Sequence, residues 1–208
     1  DMDIAVIEKV NLDKSEIAQL GTVTTSAQML YDIVRKLPGN IKVELLSEKN
    51  DRLGIKASSS SFALNCLPSE DFPSISQENF KHSFNIDALD LIRLLDKTSF
   101  AMSLEETRYY LNGIYLHKTE EDSSKLIAVA TDGHRLSKTQ ITVEEDKKFH
   151  PVILPKKTIF EIINIISDEP DTPIKILSVR SKIKFIIKDI VLISKVIDGK
   201  CPDYEKVI

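Results

Sequence analysis

Tryptophan is missing from this chain, and its 208 residues include only two cysteines, three methionines and six glycines. Cys66 and Cys201 stand 135 positions apart, with no Cys-x-x-Cys pair and no paired histidine. That scarcity argues against a disulfide-stapled scaffold or a zinc site and makes a reducing, cytoplasmic compartment the expectation. No apolar run comes near the roughly 18 residues that a membrane-spanning helix requires, so no membrane partner is expected. The sequence has no phosphate loop, no dinucleotide fingerprint and no Gly-x-Ser-x-Gly elbow. Neither sign of charge dominates: 28 Lys and Arg against 32 Asp and Glu leave a net −4. Such a balance speaks against a protein coated in nucleic acid, yet it leaves room for a local basic stripe. The opening Asp1-Met2-Asp3 carries no initiator Met, and Met2, Ile4 and Val6 alternate with polar or small residues. The start therefore reads as a strand entered partway, and the chain as a fragment.

What is present is an ordinary globular composition, 42% apolar and 29% charged, with length enough for one or two domains. Three segments show helical periodicity. Residues 26–37 align Met29, Leu30, Ile33, Val34 and Leu37, with Pro38-Gly39 as the stop; 87–99 align Ala88, Leu91, Ile92 and Leu95; 156–167 align Ile159, Phe160, Ile162, Ile163 and Ile166. Short alternating runs at 41–46, 53–57, 62–67, 114–116, 126–130, 174–179, 183–187 and 190–196 predict strands.

The chain also repeats itself. Val23, Leu30 and Phe72-Pro73 recur as Val152, Ile159 and Cys201-Pro202, and Phe62-Ala63-Leu64 as Val191-Leu192-Ile193, all at an offset of 129. A period of that size means duplicated domains, since solenoid repeats run to only about 20–50 residues. The residues from about 83 to 151 have no counterpart before the first copy. The expected organisation is a partial first domain over 1–80, a link around 77–81 and a complete second domain over 82–208.

Three segments carry the chemistry. They are Arg108-Tyr109-Tyr110-Leu111-Asn112-Gly113, Thr131-Asp132-Gly133-His134-Arg135-Leu136, and the closing Asp198-Gly199-Lys200-Cys201-Pro202-Asp203-Tyr204-Glu205-Lys206-Val207. Asn-Gly and Asp-Gly accept positive φ, so each segment reads as a tight bend at a strand end, and three such bends can converge on one pocket.

Together these segments closely resemble the bacterial DNA polymerase III β subunit family, the sliding clamps, and the resemblance runs along nearly the whole chain. It implies an α+β DNA-clamp fold of repeated domains with inner helices and outer antiparallel sheets. It further implies three domains per full-length subunit, the third absent here, and a head-to-tail homodimer closed around duplex DNA. The implied role is a processivity factor, not an enzyme, with no cofactor and no metal. Its implied partners are the polymerase III α subunit, the clamp loader and repair proteins bearing a Gln…Leu-Phe type peptide.

Carried over position by position, the peptide site comprises Leu111, Thr131, Gly133, His134, Arg135, Leu136, Pro202, Lys206 and Val207. The aliphatic members and Pro202 suit an apolar floor, while Thr131, His134 and Arg135 suit polar rim positions that fix register. Two departures stand out: Cys201 where an aromatic is usual, and Lys206 where Arg is common. Lysine keeps the charge but loses the planar fork. Tyr109 and Tyr110 match a DNA-facing pair, with Glu105 where Gln is frequent. Arg35, Lys36, Arg93, Lys97, Lys156 and Lys157 sit on the three helices as candidate DNA contacts. Arg93 and Lys97 are like charges at i,i+4, and Lys156 and Lys157 lie at a helix N-terminus, both unfavourable unless an anion faces them.

Two other readings compete. An enzyme would draw on Asp132, His134 and Cys201 as base and nucleophile, but Asp132-Gly133-His134 is most simply a turn. His82, His117 and His150 are scattered and read as surface residues. A peptide-binding repeat protein that does not encircle DNA is the alternative; a third copy of the unit in the parent protein distinguishes the two.

Overall fold

The computed structural model describes residues 3–13, 16–48, 51–73, 80, 83–119, 122–143 and 149–208. Met2, His82 and all of the expected link at 77–81 except Phe80 lie outside them, as does the side chain of Val207. The chain divides into two contact units, one of residues 11–74 and one joining 1–10 to 75–208. The division departs from the expected 1–80 at its start, because strand β1 (Ile4–Glu8) pairs antiparallel with a strand near the C-terminus, Ile4 opposite Ser194 and Glu8 opposite Ile190. That pairing gives partners to backbone groups that an edge strand would leave open.

The smaller unit is one helix on one sheet. Strands β2 (Thr24–Thr25), β3 (Val43–Glu48), β4 (Arg52–Ala57) and β5 (Ser60–Leu67) lie in the antiparallel order β2-β5-β4-β3. Helix α1 (Ala27–Val34) starts at Ser26, whose hydroxyl accepts from the Met29 N–H at 3.3 Å. It ends earlier than its apolar pattern predicts. Before Pro38-Gly39 the chain tightens, with Lys36 N–H donating to Ile33 O and Leu37 N–H to Val34 O. Leu30 and Ile33 pack on Leu53, Ile55 and Leu64. Met29 and Val34, expected on that face, are 55% and 45% exposed, since a single sheet covers only the centre of the stripe.

Among its described residues the larger unit has two sheets and two helices around one core. Strands β6 (Ser83–Ile86), β11 (Ile174–Val179), β12 (Lys182–Ile187) and β13 (Ile190–Lys195) join β1 in the antiparallel order β1-β13-β12-β11-β6. Strands β7 (Gly113–Lys118), β8 (Lys125–Thr131), β9 (Leu136–Thr142) and β10 (Val152–Pro155) form the order β10-β7-β8-β9. Helix α2 (Ala88–Ser99) lies on β7, β8 and β9 and packs against α3 (Lys156–Asp168). Leu91, Leu94, Leu95, Ile159, Ile162 and Ile166, spaced at helical period, are all fully buried between them and the sheets. The Thr158 hydroxyl lies 2.6 Å from that of Ser194, tying the first turn of α3 to β13.

The duplication is visible as element order. β2-α1-β3-β4-β5 and the 3₁₀ turn Ser69–Asp71 are repeated as β10-α3-β11-β12-β13 and the 3₁₀ turn Tyr204–Val207, with the helices starting at Ala27 and Lys156. Strand β9 was not legible as a strand because it is an edge, and its Ser-Lys-Thr-Gln interior is mostly polar. Strand β8 is the reverse case. Its unbroken run from Leu126 to Ala130 is buried on both faces, on α2 one way and under the C-terminal segment the other.

Candidate functional site

The bend between β8 and β9 is built by its own side chains. Thr131 Oγ1 donates to Arg135 O at 2.7 Å and accepts from Gly133 N–H at 3.1 Å. Asp132 Oδ1 accepts from His134 N–H at 2.9 Å and Arg135 N–H at 3.0 Å, while Oδ2 meets Arg135 Nε at 3.0 Å. Those donors, the two backbone N–H groups first, hold the Asp132 carboxyl below the usual aspartate range. Asp132 is therefore a turn-forming carboxylate and not a base. Gly133 takes φ +90°, a conformation that L side chains rarely adopt. His134 and Arg135 project into solvent, and the Arg135 guanidinium lies 5.7 Å from the centre of the Phe100 ring.

The other two bends close on the same region through the Arg108–Gly113 segment. Arg108 Nη1 stands 3.0 Å from the point a Cβ on Gly133 would occupy. On the other side, a Cβ on Gly199 would come within 2.8 Å of Tyr110 Cβ. Leu111, next in the chain after Tyr110, is buried, and its carbonyl accepts from Ser103 N–H at 3.0 Å. Arg108, which opens one of the three segments but was not singled out from the sequence, joins this junction by its approach to Gly133. Its Nε also pairs with Glu105 at 3.2 Å.

The closing segment lies on the face of the β10-β7-β8-β9 sheet turned away from α2. There Ile127, Val129 and Tyr204 form a small cluster with Tyr115, Leu136 and Cys201 packed against it. His117, expected at the surface, is only 8% exposed: its ring stacks on Tyr115 at 4.7 Å and its Nε2 lies 2.7 Å from Tyr204 Oη. The reason is that a segment far along the chain covers this strand face. Burial lowers the His117 pKa, pushes Tyr204 up to about 12, and pushes the Cys201 thiol up to about 11. A thiol so held is a poor nucleophile, so the catalytic role weighed for Cys201 has no support. Of the remaining peptide-site candidates, Pro202 and Lys206 are exposed, and Lys206 Nζ pairs with Asp203 at 2.8 Å. Val207 belongs to the Tyr204–Val207 turn by its backbone.

Arg93 and Lys97 are exposed on α2, without an ion-pair partner among the described residues. Lys156 and Lys157 begin α3 after Pro155, with no acidic residue in that turn. A cavity of about 510 Å³ runs between Phe100, Leu104, His134, Arg135 and Lys156 and so joins the β8–β9 bend to the start of α3. Tyr109 is exposed and meets Tyr110 edge to face at 5.8 Å. Arg35, in the smaller unit, pairs with Asp32 at 3.1 Å. Among the described residues no group of three or more His, Cys, Asp or Glu can hold a metal, and no helix is long and apolar enough to cross a membrane.

Comparison with known proteins gives one consistent result. A family profile for the DNA polymerase III beta subunit, central domain, matches residues 85–203, and one for the N-terminal domain matches residues 1–76. The chain is 42% identical to the beta sliding clamp of Caulobacter vibrioides and 37% identical to that of Rickettsia felis, with the whole chain aligned to 56% and 54% of those proteins. It thus spans a little over half the length of these curated relatives. Among solved structures, a sliding clamp from Bartonella birtlesii bound to griselimycin superposes with a TM-score of 0.93 at 40% identity, and one from Caulobacter crescentus with 0.92 at 41%. Each superposition takes in all of this chain and 55% or 56% of the other.

Proposed function

The chain belongs to the DNA polymerase III β subunit family, the sliding clamps, and from that premise we propose that it carries the peptide-docking pocket of a non-catalytic processivity factor. In the whole protein, this pocket holds the polymerase III α subunit, the clamp loader and repair proteins by a Gln…Leu-Phe type peptide. The ring, a head-to-tail homodimer in the cytoplasm, rides meanwhile on duplex DNA. Residues 1–80 and 82–208 serve as the first and second clamp domains of that subunit.

The observation that carries this reading is the approach of the three segments to one another, with Arg108 over Gly133, Tyr110 against Gly199, and Leu136 and Cys201 packed on the one outer-face cluster that holds Tyr204. Such a junction offers an apolar seat in Leu111, Leu136, Pro202 and Val207. Thr131, Gly133, His134, Arg135, Lys206 and the added Arg108 line its rim, the mix of apolar surface and few polar groups that ligand sites use. On the DNA side, Tyr109, Tyr110, Arg35, Arg93, Lys97, Lys156 and Lys157 supply weak, salt-dependent and sequence-independent contact. Such contact suffices when topology retains the protein on its template.

The test is a fluorescence-polarisation titration with a labelled Gln-Leu-x-Leu-Phe peptide, competed by unlabelled peptide and by griselimycin. Saturable binding at micromolar Kd, about −7 to −8 kcal/mol, is expected. A folded chain that neither binds the peptide nor responds to either competitor overturns the pocket assignment.

A further inference from the structure

We propose that the buried His117–Tyr204 pair is a positioning device for the peptide pocket, pinning the segment 201–207 to the sheet so that Pro202 and Lys206 stand at a fixed distance from Leu136. This rests on the peptide-binding reading and names what sets the geometry of its C-terminal wall.

The segment needs such a device because its backbone supplies none. After leaving β13 it is held by Ile197 N–H donating to Ile153 O at 3.0 Å. Beyond that bond, among the described residues, no backbone hydrogen bond attaches 198–208 to either sheet. Its side chains are mostly outward: Pro202, Asp203, Glu205 and Lys206 are exposed and Cys201 is half-buried. Among the segment's described side chains Tyr204 alone is buried, 6% exposed, and its hydroxyl reaches β7. A short 3₁₀ turn has little stability of its own, so the position of its neighbours follows from where Tyr204 is held.

The receiving side is built to hold it. His117 Nδ1 faces Lys118 O at 3.4 Å, and with the proton assigned there Nε2 accepts from the Tyr204 O–H at 2.7 Å. Tyr115 stacks on the imidazole with an interplanar angle of 20° and fixes its plane. Lys138, reaching across from β9, places Nζ 5.2 Å from the centre of the Tyr204 ring. Ile127 and Val129 complete the floor. Tyr204 is thereby held on its hydroxyl, one ring face and its apolar flank, and the outer face of β8 is the common base of this socket and of Leu136.

The experiment measures hydrogen–deuterium exchange of residues 198–208 without peptide, and peptide Kd by polarisation. It uses the wild-type chain and the variants Tyr204→Phe, His117→Leu, His117→Gln and the Tyr204→Phe/His117→Leu double, with thermal melts confirming folding. Tyr204→Phe and His117→Leu are expected to speed exchange in 198–208, leave the amides of β7 and β8 protected, and weaken the peptide about tenfold, as befits loss of one buried hydrogen bond and the order it imposes. His117→Gln, whose amide can still bond the tyrosine hydroxyl, recovers most of both losses. The double variant is no worse than either single one, because both remove the same bond. Unchanged exchange in Tyr204→Phe overturns the tether. Faster exchange with unchanged Kd overturns its role in the pocket. A wild-type chain that binds no peptide overturns the underlying pocket reading, whatever the exchange shows.

Discussion

The guanidinium of Arg108 rests over the backbone of Gly133, with Nη1 3.0 Å from the place a Cβ would take. Two costs therefore meet in a Gly133→Ala variant, and they differ in size. The contact is with the far end of a flexible side chain and relaxes cheaply. The φ of +90° does not, and forcing an L-residue there costs about 1–2 kcal/mol. The bend should lose that much stability in urea unfolding and the peptide should bind more weakly, whereas Arg108→Ala should weaken the peptide alone.

Leu136 is half-buried, shared between the outer-face cluster and solvent. Leu136→Ala should weaken the labelled peptide by about 1–2 kcal/mol, the value of a Leu-sized group only partly withdrawn from water. A polarisation titration checks it; unchanged affinity would move the apolar seat elsewhere.

Lys97 acts through two ends that can be separated. Its carbonyl accepts from the Ser137 hydroxyl and ties α2 to β9, while its ammonium is exposed. Lys97→Glu keeps the backbone tie and reverses the charge. Affinity of the full-length protein for a short linear duplex, where no topology holds the ring, should fall most at low salt, with a shallower salt dependence and peptide affinity unchanged. Equal loss of both would indicate a damaged fold instead.

These cases show what a linear reading reaches. The helices and most strands were legible because apolar spacing records burial: Ile159, Ile162 and Ile166 give α3, and the unbroken run through Ile127 and Val129 gives a strand covered on both faces. The β8–β9 bend was legible from Asp132-Gly133, where the positive φ is taken; Gly113 and Gly199 do not take it, Gly113 being the first residue of β7. His117 was misread because its burial depends on Tyr204, 87 residues away, and nothing in its own neighbourhood records that cover. Arg108 was overlooked as a contributor because its place is set by the close approach of Gly133, a relation between two bends and not a pattern within one. Met29 and Val34 mark the opposite error, where apolar spacing exceeds what a single sheet covers.

Cys201 should behave as a muted thiol. Burial pushes its pKa up to about 11, so at neutral pH it carries about a hundredfold less thiolate than a cysteine titrating near 9. Alkylation by iodoacetamide at pH 7.5, followed by mass spectrometry, should be correspondingly slower at Cys201 in the folded chain than in the urea-unfolded one. A fast folded-state reaction would show the closing segment to be open.

Stability should also depend on pH through His117. Burial, the largest influence, lowers its folded pKa, with Lys138 acting the same way and Glu205 and the Lys118 carbonyl opposing. The unfolded chain then binds the proton more readily than the folded one, so folding stability rises with pH across the interval between the two values. The contribution is present above the ordinary histidine value of about 6.5 and is lost as pH falls through the lowered folded value. Urea unfolding of the wild-type chain from pH 8 to pH 5 should therefore show a decline that His117→Gln lacks. His134 and His150 are exposed and remain in both proteins, so the difference between the two curves isolates the buried ring. Parallel curves would mean that the closing segment opens before the imidazole takes up its proton.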